Sequence, residues 1–519
     1  MSWKPRHSPW AIALTVTMAT FMEVLDTSIA NVALQHIAGS LSVDQNESTW
    51  VLTSYLVSNA IVLPISGWLA TRLGRKRFYM TCVALFTVSS FLCGIAPNLG
   101  LLIFFRVLQG AGGGGLGPSE QSILADTFPP NKRGMAFAVY GMAVVLAPAI
   151  GPTLGGFITD HYSWRWVFFI NVPVGIASLL LSHRMVEDPP YLARERKKLG
   201  KIDFPGIALI ALGLGCLEVV LDKGQEDDWF ASRFILVFAT IAAVSLVAFV
   251  VWELTRKNPV VDVNLFRHRT FAAASCMMLV LGATLYGTTV LLPQFTQNVL
   301  GYTAQLAGEA LSPGGLLVMA MMPMIGALVA RVDARKLIAL GFLISGASLF
   351  YMAHHIDREI SFGVAVRLRM YQAAGLAFLF VPISTISYVG LPQEKYNQAS
   401  GIINLARNMG GDIGIAALTT LLARRSQHHQ VDLVAHTTAV NPTFNARLAA
   451  MTRTLVHSGA STHEAHRRAL AALSRRVISE AATLSYMDLL WMFGVATLVM
   501  VPLTFLMKKN EPGKSAAPA

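Results

Sequence analysis

Charge is scarce in this sequence. Of its 519 residues only 13% are Asp, Glu, Lys or Arg, about half the roughly 25% of a soluble globular chain. That shortage excludes an ordinary water-soluble domain. Cysteine is almost as rare: Cys82, Cys93, Cys216 and Cys276 all fall in apolar runs and form no CxxC spacing, so neither a disulfide framework nor a thiolate metal site is expected. The run GAGGGG at 110–115 lacks the Lys-Ser/Thr that completes a phosphate loop, which excludes ATP hydrolysis by this route. No nucleophile–base constellation and no metal-ligand spacing mark an enzyme, and no cofactor is expected.

What is present is apolar: 54% of residues are hydrophobic. A membrane-spanning helix needs about 20 mostly apolar residues. Fourteen segments qualify: 10–34, 49–70, 78–96, 99–125, 135–159, 166–185, 204–222, 233–254, 271–294, 306–330, 336–354, 365–390, 401–423 and 485–507. The expected class is an all-α polytopic membrane protein. The first run lasts to Leu34 and holds Glu23 and Asp26, so it is read as an uncleaved span rather than a signal peptide. The formal net charge of +12 does not point to nucleic acid, because the cations collect in alternate connectors. One set holds Arg72, Arg75, Lys76 and Arg77; Lys132 and Arg133; Arg194, Arg196, Lys197, Lys198 and Lys201; Arg256, Lys257, Arg267 and Arg269; and Arg331, Arg335 and Lys336. Lys4 and Arg6 at one terminus and Lys508 and Lys509 at the other join it. The positive-inside rule then places both termini in the cytoplasm.

Residues 424–484 form a polar, basic, His-rich connector on the opposite side. Ser461 and Glu464 read as a capping box, followed by Leu470, Leu473 and Val477 as an apolar stripe. Its histidines (428, 429, 436, 457, 463, 466) show no ligand pattern; a docking surface for a partner on that side suits it better. Elsewhere the chain repeats itself. GWLATRLGRKR at 67–77 matches GALVARVDARK at 326–336, and RVLQGAG at 106–112 matches RMYQAAG at 369–375, an offset of about 260 residues. This predicts a six-helix half over 1–186, a linker with two inserted helices over 187–257, and a second six-helix half over 258–519 that contains the loop 424–484. Duplicated halves are secondary-transporter architecture.

These stretches resemble the major facilitator superfamily, in its fourteen-helix drug:proton antiporter branch. GWLATRLGRKR is similar to the family's loop between helices two and three, carrying Gly67, Arg72, Gly74 and Arg75. LLIFFRVLQGAGGG resembles its helix-four motif with Arg106 and Gln109, and APAIGPTLGG resembles the antiporter motif of helix five with Pro148, Gly151, Pro152, Gly155 and Gly156. LDTSIANVAL, with Asp26 and Asn31, resembles the branch signature, and WRWVFFINVPVG the start of helix six. The resemblance extends to EmrB-type subunits of tripartite multidrug efflux systems. It implies proton-driven export of hydrophobic or amphipathic compounds across a bacterial inner membrane. It also implies an EmrA-like periplasmic adaptor and, through it, a TolC-like outer-membrane channel. A specific metabolite or fatty-acid exporter of the same fold is the alternative. Thr71 stands where the loop motif usually has Asp, so a latching carboxylate is missing there.

An exchanger needs a group that holds either a proton or cargo, and carboxylates in apolar helices are suited to it. At 1.5 Å per residue, Asp26 and Arg106 lie at similar depths, roughly 12 Å and 8 Å below the outer helix ends, so they are expected to share a proton-sensitive network. Glu23, one turn deeper, is expected to face the cargo cavity. Asp412 in NMGGDIGIA is a further candidate for coupling, and Arg369 and Arg407 for the cavity. Glu120 is expected near the inner face, latching Arg72–Arg77 or solvated. Glu218 and Glu309 are expected at the outer interface. The helix-five prolines and glycines are expected to bend that helix and seat it at the seam between halves.

Overall fold

The computed structural model describes residues 5–509, apart from positions 199, 201, 257 and 439. Lys4, Lys201 and Lys257 of the basic connectors lie outside the described residues. The chain is helical, and fourteen long helices organise it: α1 Pro9–Leu41, α2 Trp50–Leu73, α3 Arg75–Gly94, α4 Leu99–Thr127, α5 Pro130–His161, α6 Trp166–Met185 and α7 Phe204–Lys223. They continue as α8 Arg233–Thr255, α9 Arg269–Asn298, α10 Ala304–Val329, α11 Ala334–His355, α12 Phe362–Ile386, α13 Tyr396–Ala435 and α14 Thr462–Leu503. Among the described residues, 13 helices are long and apolar enough to cross a membrane. Helix α13 is not one of them, because Asn404, Arg407, Asn408 and Asp412 punctuate its apolar run.

Packing follows the repeat. Helices α1 and α5, α1 and α6, α2 and α4, and α3 and α4 lie against one another; so do α9 and α13, α10 and α12, α11 and α12, and α11 and α14. The two sets meet where α5 runs along α10 and α2 along α13. Helices α7 and α8 pair with each other, and α7 also rests on α2. In α8 the outward side chains Val244, Val247 and Val251 are more than half exposed, the pattern of a helix whose surroundings are apolar rather than aqueous.

Glycines set the close approaches. A Cβ on Gly114 would lie 2.6 Å from the Asn59 carbonyl oxygen of α2, and one on Gly112 would lie 2.7 Å from the Phe86 nitrogen of α3. The GAGGGG run is therefore the surface that lets α4 sit between two helices. Helix α5 stays helical through Pro148 and Pro152. The helix that its motif glycines admit is α1: Gly151 faces Ser28, and a Cβ on Gly155 would lie 3.1 Å from Ile29. Both seat α1 within the first half, and Gly156 has open space. The seam itself is made by Gly134 against Gly326 and by Gly315 against Ala149, each with a Cβ-equivalent contact below 3 Å.

Helix ends also differ from expectation. Segment 424–484 is mostly continuous helix: α13 runs on to Ala435, a short helix covers Pro442–His457, and α14 begins at Thr462. No Gly or Pro interrupts 415–435, so propagation beyond the apolar stretch costs little. Ser461 accepts from the Glu464 amide at 3.3 Å, as the capping box predicts. The buried stripe that follows is Ala465, Ala469 and Leu473, with Val477 half-buried, whereas Leu470 is exposed. The end of the bundle bearing Pro442–His457 is the hairpin end. The opposite end holds the first and last described residues, with Trp10 packed on Phe128 and Arg335 donating to the Met507 carbonyl.

Candidate functional site

The densest buried polar network surrounds Asp26 on α1. Arg106 Nη1 of α4 donates to its Oδ2 at 2.6 Å, while Gln109 and Asn171 donate to its Oδ1 at 3.0 and 2.6 Å. Arg106 also donates to the Val51 carbonyl at 3.0 Å and to Gln109 Oε1 at 2.8 Å, and its guanidinium lies 4.3 Å from the Tyr55 ring centre. Asp26, Arg106 and Gln109 are all 0% exposed. Isolated, each charge would cost several kcal/mol to bury; paired and hydrogen-bonded, they hold α1, α2, α4 and α6 in one register. The depth argument therefore found the partner. It did not find Asn171, which sits in the quoted INVPVG stretch as an amide in an apolar run and also donates to Ser90 at 3.0 Å.

Glu23, one turn from Asp26, is half-buried and accepts from the Tyr55 hydroxyl at 3.1 Å and the Asn59 amide at 3.2 Å. Tyr55 thus touches both carboxylate sites, with its ring on Arg106 and its hydroxyl on Glu23. From the other half Arg407 reaches the same region, donating to Tyr140 at 2.8 Å. Tyr140 donates to Asn404 at 2.8 Å, and Asn404 to Gln121 at 2.9 Å. This chain of polar groups crosses from α5 to α13 to α4, and so from one half to the other.

Several expected members lie elsewhere. Asn31 is exposed and takes no part in the Asp26 network. Glu120 is fully buried, with Thr17 donating at 2.5 Å and no donor among the described residues reaching Oε2. It therefore does not latch Arg72–Arg77, because it points into the α1 face of the bundle. Glu218, expected at the interface, is 2% exposed, in hydrogen-bonding reach of half-buried Asp412. Glu309 is exposed and accepts from Gln305 at 3.0 Å. Arg369 donates to Gln372 at 2.6 Å and to Thr289 at 3.2 Å, with Thr288 close to both Arg369 and Gln372.

A latch at the terminal end is built on Arg75, one of the expected cations, with partners other than Glu120. Arg75 is 1% exposed and donates to Asn397 Oδ1 at 2.9 Å, Ser122 O at 3.2 Å, Asp126 Oδ2 at 2.6 Å and the Tyr191 hydroxyl at 2.9 Å. Burial pushes the Tyr191 phenol up, so it stays protonated and donates to Asp126 at 2.5 Å. Thr71 accepts from Asn397 at 3.3 Å, so this closure works without a carboxylate at position 71. Gly67 lets the Asn397 carbonyl come within 2.5 Å of where its Cβ would be, and Gly74 takes φ +91°, open to glycine. Arg72 donates to the Gly200 carbonyl at 3.1 Å. Asp126, Tyr191 and Asn397 were not singled out by sequence; Asp126 lies six residues beyond Glu120 on α4 and takes the place beside Arg75 expected of Glu120.

At the hairpin end, His428, His429 and Asp432 bring ligand atoms within 4.8 Å of one another, which the sequence spacing did not suggest. Each is already engaged: His428 with Asp432 at 3.0 Å along the helix, and His429 with Asp488 of α14 at 2.9 Å.

Comparison with known proteins fits this geometry. The Major Facilitator Superfamily profile matches residues 16–415. The chain is 37% identical to "Multidrug export protein EmrB" of Escherichia coli (strain K12), covering 97% of both chains. It is 41% identical to the Haemophilus influenzae protein of that name, covering 83% of this chain and 84% of the relative. It is 35% identical to "Fatty acid resistance protein FarB" of Neisseria gonorrhoeae over 96% of each. Among solved structures, a double Trp mutant of XylE superposes with a TM-score of 0.62 at 14% identity, over 98% of this chain and 97% of that one. The human organic anion transporter MFSD10 gives 0.55 at 11%, over 95% and 100%. The fold, the motifs and the matches agree: the chain belongs to the Major Facilitator Superfamily and is a multi-pass membrane transporter.

Proposed function

We propose that this transporter exports hydrophobic and amphipathic drugs from a bacterial cell across the inner membrane, in exchange for protons. The observation that carries the reading is the Asp26–Arg106 pair, buried with Gln109 and Asn171 one turn from the half-buried Glu23. A carboxylate neutralised by one arginine changes its partner strength on protonation, and Tyr55 passes that change to Glu23 on the cargo side. The EmrB relatives support the cargo class. All fourteen long helices span the membrane, as two six-helix halves (1–186 and 258–519) around the inserted pair within 187–257. The basic connectors support a cytoplasmic position for both termini and the Arg75 latch, with the hairpin outside. No cofactor takes part, because the proton gradient supplies the energy. The hairpin docks an EmrA-like adaptor and through it a TolC-like channel; Val431 and Val440, 70% and 89% exposed, offer it apolar contacts.

Inverted vesicles with an imposed proton gradient test the exchange. Lipophilic drugs should dissipate the gradient with wild type and fail to do so with Asp26→Asn. Equal behaviour of the two would sink the proposal. Retained adaptor binding after removal of 436–461 would refute the docking role.

A further inference from the structure

The inserted pair α7–α8 has no counterpart in either half, yet the hairpin-end turn of α7 is its most polar part. Glu218 sits there at 2% exposure, in hydrogen-bonding reach of Asp412 on α13. Among the described residues no donor reaches its Oε2. One turn on, Asp222 accepts from Thr53 of α2, and Lys223 donates to Thr49, just before α2, and to Glu226 at 2.8 Å. From the connector after α7, Trp229 donates to Thr420 of α13 at 3.0 Å. The end of α7 thus bridges α2 of the first half and α13 of the second.

Two carboxyl groups within hydrogen-bonding reach of each other in a low-dielectric bundle disfavour double ionisation, and a proton held between them removes the repulsion. No cation around them takes its place. Lys223 is committed to Thr49 and Glu226, and lies 5.6 Å from the Trp50 ring centre. Arg407, more than one turn toward the latch on α13, is committed to Tyr140 and Asn408. From α9, Tyr286 faces Asp412 and brings no charge. On α8, Arg233 is exposed and Glu253 lies near Gly206, at the other end of α7. A purely structural contact would be met by amides without a buried acid. In this structure the Arg75 latch is closed while the acids lie toward the hairpin end, the side from which an exchanger must load protons.

We infer that Glu218 and Asp412 form a second proton-binding site, through which the inserted helix pair senses outer pH and ties itself to the second half. The site rests on the proton-exchange reading for its use, but not for its existence.

Infrared difference spectra of the full-length protein in liposomes, taken across a pH titration without drug, test it. Wild type should show a titrating carbonyl-stretch band of a protonated carboxyl, lost in both Glu218→Gln and Asp412→Asn. Gradient-driven export should fall roughly tenfold in Glu218→Gln, with drug binding in the absence of a gradient unchanged. A band that persists in both variants overturns the site. So does an unaltered pH profile of export in Glu218→Gln, and either result leaves the Asp26 reading intact. A wild type that shows the band but moves no protons with drug overturns the exchange reading and leaves the site standing.

Discussion

The two halves use one device with different charge. In the first, Arg106 and Gln109 on α4 engage Asp26 of α1. In the second, Arg369 and Gln372 on α12 repeat the pair three residues apart, but the α9 side chains they meet are Thr288 and Thr289. The packing role has been kept on both sides, since each arginine, bonded to its glutamine, also reaches the neighbouring helix directly. Only the first half kept a titratable partner. An arginine joined to hydroxyls holds its contacts at every physiological pH, whereas one joined to a carboxylate can be released by a proton. The duplicated fold therefore places a buried ion pair in one half and an arginine with neutral partners in the other.

The largest effect should come from breaking the charged version. Arg106→Ala leaves Asp26 buried without a cation, at a cost of about 3–5 kcal/mol; it should lower the melting temperature in detergent sharply and abolish export. Arg369→Ala removes hydrogen bonds to neutral groups, at about 1–3 kcal/mol, and should retain partial export. Equal losses in the two variants would erase the distinction between halves. A smaller, sharper test adds the missing acid. In a Thr288→Asp background the cost of Arg369→Ala should grow, with a coupling of about 0.5–3 kcal/mol in a double-mutant cycle. Zero coupling would mean that Arg369 does not face position 288 closely enough to act as Arg106 does.

The comparison also explains what could be read in advance. The repeat that aligned Arg106 with Arg369, and the expense of acids in apolar helices, were enough to find the Asp26–Arg106 pair and the all-helical transporter class. Depth along a helix, however, carries no azimuth. Glu120 and Asp126 lie about 9 Å apart along α4, and only the folded helix shows that Asp126 reaches Arg75 while Glu120 turns toward Thr17. Glu218 was placed at the interface for the same reason: its distance from the helix end was legible, but not that α13 covers it. The helix-five glycines marked a close approach without saying to which helix. The hairpin was misjudged at its boundaries, because apolar counting stops where lipid stops and a helix need not.

A mild perturbation of the latch asks whether that closure, too, belongs to one half. Asn397 is the second half's contribution: it accepts from Arg75 at 2.9 Å and donates to Thr71 at 3.3 Å. The remaining bonds of Arg75, to Asp126, Ser122 and Tyr191, stay within the first 198 residues. Asn397→Ala should thus leave Arg75 satisfied and the first half intact, while removing about 1 kcal/mol of attachment between halves. The melting temperature should barely move, and a cysteine in place of Ser122, which is 1% exposed beside Arg75, should become several-fold more reactive to a water-soluble thiol reagent. Asp126→Asn, by contrast, weakens the first half's own grip on Arg75 and should lower the melting temperature as well as open the latch. If Asn397→Ala destabilised the fold as much as Asp126→Asn, Asn397 would be a structural member of the first half's network and not a separable clasp between two moving bodies.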